Sequence, residues 1–187
     1  MKKFNKTKCI DLISKRLVMT ITVFFLSFSI FAEDLQHYKL GSDDVISVTV
    51  FDEPDLSLKE ARVSSTGTIA MPLIGQVDVK GLSVSDAEQK IFDMYFGDYL
   101  KNPDITITIV EYRQFYVTGE VEKPGGYSYR EGMNVQRAIT LAGGFTERAS
   151  RTNIYLVRED SNNQSIKAEL TTQVQPGDVI TVEESFF

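Results

Sequence analysis

The chain has 187 residues, with 20 Lys and Arg against 26 Asp and Glu, and a formal net charge of −6. This length allows one or two small domains, and the acidic balance disfavours nucleic acid as a partner. The only cysteine, Cys9, lies within the first 32 residues, which we predict to be cleaved off, so the mature chain would have no thiol for a metal site or a nucleophile. The only histidine, His37, lies just past that cut, where solvation is expected.

The first 32 residues have the layout of a secretory signal peptide. Six basic residues and one acidic residue precede an apolar run over residues 17–31, which Ala32 closes. We expect cleavage between Ala32 and Glu33. An uncleaved anchor stays open as the alternative, although the run is shorter than the roughly 20 residues that span a bilayer. Cleavage would leave 14 basic and 25 acidic residues, a net charge near −11.

The next part of the chain predicts short strands separated by turns. A strand over residues 45–51 would place Ile46, Val48 and Val50 on one face. A loop follows at residues 54–55, then an extended segment over 69–74 and a second alternating stretch over 76–80.

A helix is predicted to begin after Ser83, which can cap it with Asp86 in the third helical position. Its apolar face includes Ile91 and Phe92, so we expect both side chains to pack into the first domain. Gly97 stands where the helix should end. Residues 104–111 then alternate as a half-buried strand.

Residues 114–149 predict one ββα unit. A strand over 115–121, a turn at 124–126 and a return strand at 127–129 precede a helix over 135–142. Asn134 is its expected N-cap, and a glycine follows its last residue. Strands over 153–158, 166–170 and 179–182 complete a predicted α+β chain with mixed sheets. The glycines expected at structural turns are Gly119, Gly125, Gly143 and Gly144.

Two segments at opposite ends of this region resemble each other. LGSDDVISV at residues 40–48 and PGDVITV at residues 176–182 both place an acidic turn before an alternating apolar strand. A common turn–strand signal explains this similarity as well as a structural correspondence does.

Catalytic chemistry is not indicated by any motif. The chain has no Gly-x-Ser-x-Gly elbow, P-loop or His-Glu-x-x-His sequence, and we predict no catalytic, cofactor-binding or metal-binding residues. One set of side chains has two interpretations: they pack within the sheet, or they contact glycan or a neighbouring subunit. Its members are Tyr116, Tyr127, Tyr129 and Arg130.

Several motifs, in order, resemble bacterial outer-membrane polysaccharide export proteins. The first domain of that family is matched by YKLGSDD at 38–44, GTIAMPLIG at 67–75, GLS at 81–83 and PDITI at 103–107. VTGEV at 117–121, PGGY at 124–127 and AGGF at 142–145 are similar to its soluble ligand-binding β-grasp domain. The resemblance implies a signal peptide at 1–32, a small mixed-sheet export domain at 33–111 and a β-grasp domain with a C-terminal strand at 112–187.

The resemblance also implies a function. We would expect the protein to be a non-enzymatic, ring-forming component that conducts capsule or exopolysaccharide through the periplasm and associates with the outer membrane. Expected partners are polysaccharide, further copies of the chain, an inner-membrane polysaccharide co-polymerase and a separate outer-membrane protein. Larger relatives add a β-grasp repeat and a C-terminal amphipathic helix that this sequence lacks, so we expect this chain to end in the periplasm. A periplasmic ligand-binding or adhesive module is the alternative.

Overall fold

The computed structural model of the protein describes residues 38–159, 161 and 164–185. Their strands and α-helices follow the order β1 (Val45–Val50), β2 (Leu58–Arg62), β3 (Thr68–Met71), β4 (Gly75–Asp78), α1 (Val84–Tyr95), β5 (Ile105–Glu111), β6 (Phe115–Gly119), β7 (Gly125–Tyr127), α2 (Val135–Leu141), β8 (Ala149–Val157), β9 (Ser165–Lys167) and β10 (Val179–Glu184). The predicted α+β class is confirmed. The expected signal-peptide cut, with Ala32 and Glu33, lies outside the described residues.

The first sheet is antiparallel, with the order β2–β1–β5. Ile46 and Val48 of the central strand are buried, as their alternation predicts. The sequence pattern did not predict β2, because Lys59 and Glu60 are exposed and Ala61 is its one buried residue. Charged side chains on an edge strand discourage pairing with other chains, and they also hide the alternation that would reveal the strand.

Strands β3 and β4 form a separate hairpin. The extended segment predicted over residues 69–74 is too long, because the strand ends at Met71. Pro72 cannot donate a ladder hydrogen bond, and Leu73 turns the chain with a φ of 64°. Gly75 then pairs with Met71 and starts the return strand.

Helix α1 begins at the predicted cap, where the Ser83 hydroxyl accepts a hydrogen bond from the backbone N–H of Asp86 at 3.1 Å. Ile91 is buried with the rest of the apolar stripe, whereas Phe92 is only half-buried. The packing predicted for Ile91 is therefore confirmed, and that predicted for Phe92 is only partial.

The same helix protects the edge of the first sheet. Glu88 accepts a hydrogen bond at 2.8 Å from the backbone N–H of Ile107 in β5. An edge-strand amide that would otherwise face solvent is thereby satisfied. At the end of the helix, the Tyr95 hydroxyl donates to the carbonyl oxygen of Pro72 at 2.8 Å and holds the β3–β4 turn beside it.

The second sheet has five strands in the order β7–β6–β10–β8–β9. Its last strand, β10, lies in the middle, parallel to β6 and antiparallel to β8. Helix α2 packs over one face of this sheet. The resulting core contains Phe115, Val117, Val135, Ala138, Ile139, Ile154, Leu156, Ile180 and Val182.

Strand β7 corrects the predicted hairpin. The return strand was expected at residues 127–129, but it spans Gly125–Tyr127. Gly125 is therefore a strand residue that pairs with Val117, and it is not among the residues with positive φ. Cross-strand pairing with β6 decided its conformation, and this long-range preference is stronger than the local turn signal of the Pro-Gly-Gly sequence.

Helix α2 ends in a Schellman motif. Asn134 caps its start by accepting a hydrogen bond from the N–H of Arg137 at 2.9 Å. At the other end, Gly143 and Gly144 donate to the carbonyl oxygens of Thr140 and Ile139 at 3.1 and 2.9 Å. Both glycines have positive φ, 87° and 96°, and the motif requires this conformation at the first of them, Gly143.

Candidate functional site

A three-residue segment, residues 112–114, connects the two sheets, because β5 ends at Glu111 and β6 begins at Phe115. Its central residue, Arg113, contacts both domains. The guanidinium Nη1 lies 3.2 Å from Oδ2 of Asp44 in the first domain, and Nε lies 2.7 Å from Oε2 of Glu159 in the second. The Arg113 side chain is 13% exposed and that of Asp44 is fully buried. A desolvated arginine therefore ties the domains together.

Asp44 receives more than the guanidinium. Its Oδ1 accepts the backbone N–H of Arg113 at 2.8 Å, and its Oδ2 accepts that of Gly41 at 2.7 Å. A buried carboxylate is stable only when hydrogen-bonded and paired. We call Asp44, Arg113 and Glu159 the interdomain clamp.

Two glycines provide space for the clamp. A Cβ on Gly41 would collide with the guanidinium and stand 3.0 Å from its Nε atom. A Cβ on Gly177, from the other domain, would stand 2.9 Å from Nε and also collide with Glu159. Arg113 is thus enclosed by backbone from both domains, and a side chain at either glycine would displace it.

The similarity between the two acidic turns is structural. Asp178 is buried like Asp44, and its Oδ2 accepts the backbone N–H of Gln175, three residues earlier, at 2.7 Å. It also lies 3.5 Å from an arginine, Arg158. Each turn therefore uses one aspartate to close itself and to receive a guanidinium at the start of a strand.

A cleft of about 410 Å³ opens beside the clamp. It combines carboxylates, guanidinium groups, a hydroxyl, an amide and aromatic rings. Its lining residues are Ser42, Asp43, Arg62, Glu111, Tyr112, Arg113, Gln114, Tyr116, Glu159 and Gly177. This volume falls within the range of small-molecule sites, and the groups are those that bind hydroxyl-rich ligands.

The structure separates the aromatic residues proposed as contacts. Tyr116 is 47% exposed and lines the cleft. Tyr127 lies on the opposite face of the sheet, with its ring 6.0 Å from that of Phe115 in the core, and its hydroxyl donates to the carbonyl of Lys123. Arg130 is exposed but is not part of the cleft lining. Tyr127 and Tyr116 therefore cannot share one contact surface, because Tyr127 pairs with Phe115, and adjacent residues of a strand face opposite sides of the sheet.

Tyr129 is placed beside the connecting segment. Its ring meets Tyr112 edge to face, with centroids 5.3 Å apart, and the Tyr112 hydroxyl donates to Glu131 at 2.8 Å. Burial first, and then this hydrogen bond to a carboxylate, raise the pKa of Tyr112 above its ordinary value of 10.0. Tyr129 thus supports the connection between the domains.

Among the glycines expected at turns, Gly119 has a φ of 82°, and a Cβ there would collide with the carbonyl of Val182.

Sequence patterns did not reveal Arg113, Arg62 or Gln114 as site residues. The available signal was the pair of similar acidic turns, because a buried aspartate needs a partner. The described residues hold no group of three metal-ligating side chains and no helix long and apolar enough to cross a membrane.

Two family models match successive parts of the chain. Residues 32–110 match the polysaccharide biosynthesis/export protein family, and residues 114–167 match the SLBB domain. The chain therefore contains a polysaccharide biosynthesis/export domain followed by an SLBB domain.

Similar curated proteins have related names. The EPS I polysaccharide export outer membrane protein EpsA of Ralstonia nicotianae is 26% identical, over 79% of this chain and 47% of its own length. The exopolysaccharide production protein ExoF of Rhizobium meliloti is 29% identical, over 44% of this chain and 20% of its own. The polysialic acid transport protein KpsD of Escherichia coli is 30% identical, over 46% of this chain and 14% of its own length. The chain spans less than half the length of each.

Proposed function

We propose that this protein is a non-enzymatic component of a machine that exports capsule or exopolysaccharide. The observation that carries the proposal is the export domain followed directly by an SLBB domain. The similarity to EpsA over 79% of the chain supports it. We infer that the protein acts in the periplasm at the outer membrane, with polysaccharide as cargo.

Copies of the chain are proposed to assemble into a ring. An exposed apolar surface supports this proposal: Leu73 is 62% exposed and Phe96 is 54% exposed. The hydrogen bond from Tyr95 to Pro72 brings the turn that contains Leu73 next to the end of α1, where Phe92 stacks on Phe96 at 5.5 Å. Apolar side chains gathered in this way are typical of an interaction surface.

The proposed partners follow from the class. An inner-membrane polysaccharide co-polymerase would supply the glycan, and a separate outer-membrane protein would complete the route across the envelope. Cross-linking in cells, followed by purification of the full chain and identification of its neighbours, tests both. Recovery of neither kind of protein would count against this part of the proposal.

Deletion of the gene and native mass measurement test the function itself. Deletion should abolish surface polysaccharide, and the purified protein should have a mass of several chains. Phe96→Asp should reduce that mass to one chain and lower surface polysaccharide, whereas Leu141→Asp, at a 50% exposed position of α2, should do neither. If the purified protein is a monomer and deletion of its gene leaves surface polysaccharide normal, a periplasmic ligand-binding module is favoured instead.

A further inference from the structure

We propose that the cleft between the two domains binds a sugar unit that carries no negative charge, with Tyr116 as its stacking surface. This inference rests on the proposed export function and specifies the part of the cargo that the site accepts. The argument has three parts: an aromatic ring that is held in place, polar groups around it, and the balance of charge.

The ring of Tyr116 is held by its neighbours. Tyr116 pairs across the sheet with Gly126 of β7, and a Cβ on that glycine would come within 3.0 Å of ring atom Cε1. The ring therefore lies over bare glycine backbone, while 47% of the residue stays exposed. A tyrosine so placed offers an apolar face and a polar tip, which matches the apolar ring face and hydroxyl rim of a sugar.

Polar groups surround this ring at the cleft wall. Ser42, Gln114 and Glu111 line the same space, and they provide a hydroxyl, an amide and a carboxylate. Gln114 also lies close to Gly126, since a Cβ there would stand 2.6 Å from its Oε1 atom. A few polar groups beside an aromatic surface are the usual composition of a small-molecule site.

The charge balance decides which sugars fit. Of the two guanidinium groups in the lining, Arg113 is engaged by Asp44 and Glu159. Arg62 donates to the backbone carbonyl of Asp43 at 3.1 Å. Within the described part of the chain, Asp43, Glu111 and Arg62 form no ion pair. The lining as a whole has three carboxylates (Asp43, Glu111 and Glu159) against two guanidinium groups, an excess of one negative charge.

Exposed carboxylates accept hydrogen bonds from sugar hydroxyls, and such charge-assisted bonds are strong. They repel a carboxylate on the ligand. A uronic or sialic acid unit would therefore enter this cleft less readily than an uncharged unit of the same shape.

Two probes test the inference: hexagalacturonate and its fully methyl-esterified form, in which a methyl group on each carboxylate removes the negative charge. Binding to the purified full-length mature protein is measured by isothermal titration and by saturation-transfer NMR observed on the sugar, which tolerates a large oligomer. The ester should bind at least about fivefold more tightly than the acid, the ratio expected for one close like-charge contact in water. The double change Asp43→Asn with Glu111→Gln should remove most of that difference.

Variants locate the binding. Tyr116→Ala should abolish binding of the ester, and Tyr116→Phe should keep it. Tyr99→Ala removes a tyrosine of similar exposure, 49%, outside the cleft lining, and should also keep it. Thermal unfolding shows whether each variant is folded. Equal or tighter binding of the acid, no binding of either probe, or unchanged binding by a folded Tyr116→Ala variant would overturn the inference.

The cellular readout separates the two proposals. Surface polysaccharide should fall in a Tyr116→Ala strain and be absent in the deletion strain. A deletion strain with normal polysaccharide would refute the export function, while the titration would still decide whether the cleft discriminates by charge. Wild-type titration behaviour in Tyr116→Ala, together with loss of polysaccharide in the deletion strain, would refute the cleft and leave the export function standing.

Discussion

Arg113 is the residue on which the connection between the domains depends. Its partners are distant in sequence: Asp44 is 69 positions away and Glu159 is 46 positions away. Because the Asp44 side chain is fully buried, removal of the guanidinium would leave a charge that water cannot reach. Such a loss costs much more than that of a solvent-exposed ion pair.

We therefore expect Arg113→Ala to lower the free energy of unfolding by about 3 kcal/mol, measured by urea titration at neutral pH. Arg148→Ala is the matched control, because Arg148 also pairs with a glutamate, Glu184, but its side chain is 68% exposed. The control should leave the unfolding midpoint nearly unchanged. If Arg113→Ala lowers the free energy of unfolding no more than Arg148→Ala does, the clamp does not hold the domains together.

The raised pKa of Tyr112 predicts that the free energy of unfolding depends on pH in the alkaline range. Its pKa is raised in the folded protein, so above pH 10 the unfolded chain loses this proton while the folded protein keeps it. Stability present at lower pH is therefore lost as the pH rises beyond the unfolded value, near 10. Tyr112→Phe keeps the ring beside Tyr129 and removes the ionising group.

The free energy of unfolding should thus fall less steeply with pH in Tyr112→Phe than in the wild type between pH 10 and 12. Urea titrations at several pH values measure both slopes. Burial also raises the pKa of Tyr95. The slope measured for Tyr112→Phe should therefore be smaller than that of the wild type but not zero. Identical slopes would mean that Tyr112 is equally acidic in the folded and unfolded chains.

Among the secondary-structure elements, the end of α2 shows how one backbone position directs a whole unit. Gly143 has a φ of 87°, and a Cβ there would stand 2.9 Å from Cβ of Glu122. The bonds from Gly143 and Gly144 to the last turn redirect the chain toward Phe145, which pairs with Val121. The helix end thereby positions the loop that leads into β8.

Gly143→Ala should lower the free energy of unfolding by about 1 kcal/mol or more, because the left-handed conformation opposes a Cβ. Gly125→Ala is the control: Gly125 is not among the positive-φ residues, and a Cβ there would meet no atom within 4 Å. The control should be neutral or slightly stabilising. Chemical denaturation of both variants decides, and equal effects would rule out a special role for the helix end.

At the scale of the whole molecule, the connecting segment and the clamp link the two sheets over a short distance. Only residues 112–114 separate β5 from β6, and unfolding of either domain removes a partner of Arg113. We expect calorimetry of the wild type to show one cooperative transition.

Arg113→Ala should divide this transition into two, one for each domain, whereas Arg148→Ala should keep it single. The division would show that polar contacts at the junction couple the domains. Two transitions already present in the wild type would show that the domains unfold independently.

Features that depend on neighbouring residues could be predicted from the sequence. The caps at Ser83 and Asn134 could be identified because a capping side chain bonds to an amide three positions away. Strand β1 and the burial of Ile91 follow from alternation and helical spacing. The order of short motifs also indicated the family, since each motif is a local turn or strand signal.

Tertiary structure alone decided which residues meet at the site. The faces of Tyr116 and Tyr127 depend on the register of β6 and β7, and a register cannot be read from either strand alone. The pairing of Arg113 with Asp44 joins residues from two domains, and no local pattern encodes it. The physical reason is the same in both cases: the energy of these contacts comes from burial and charge pairing between distant segments, which exist only once the chain has folded.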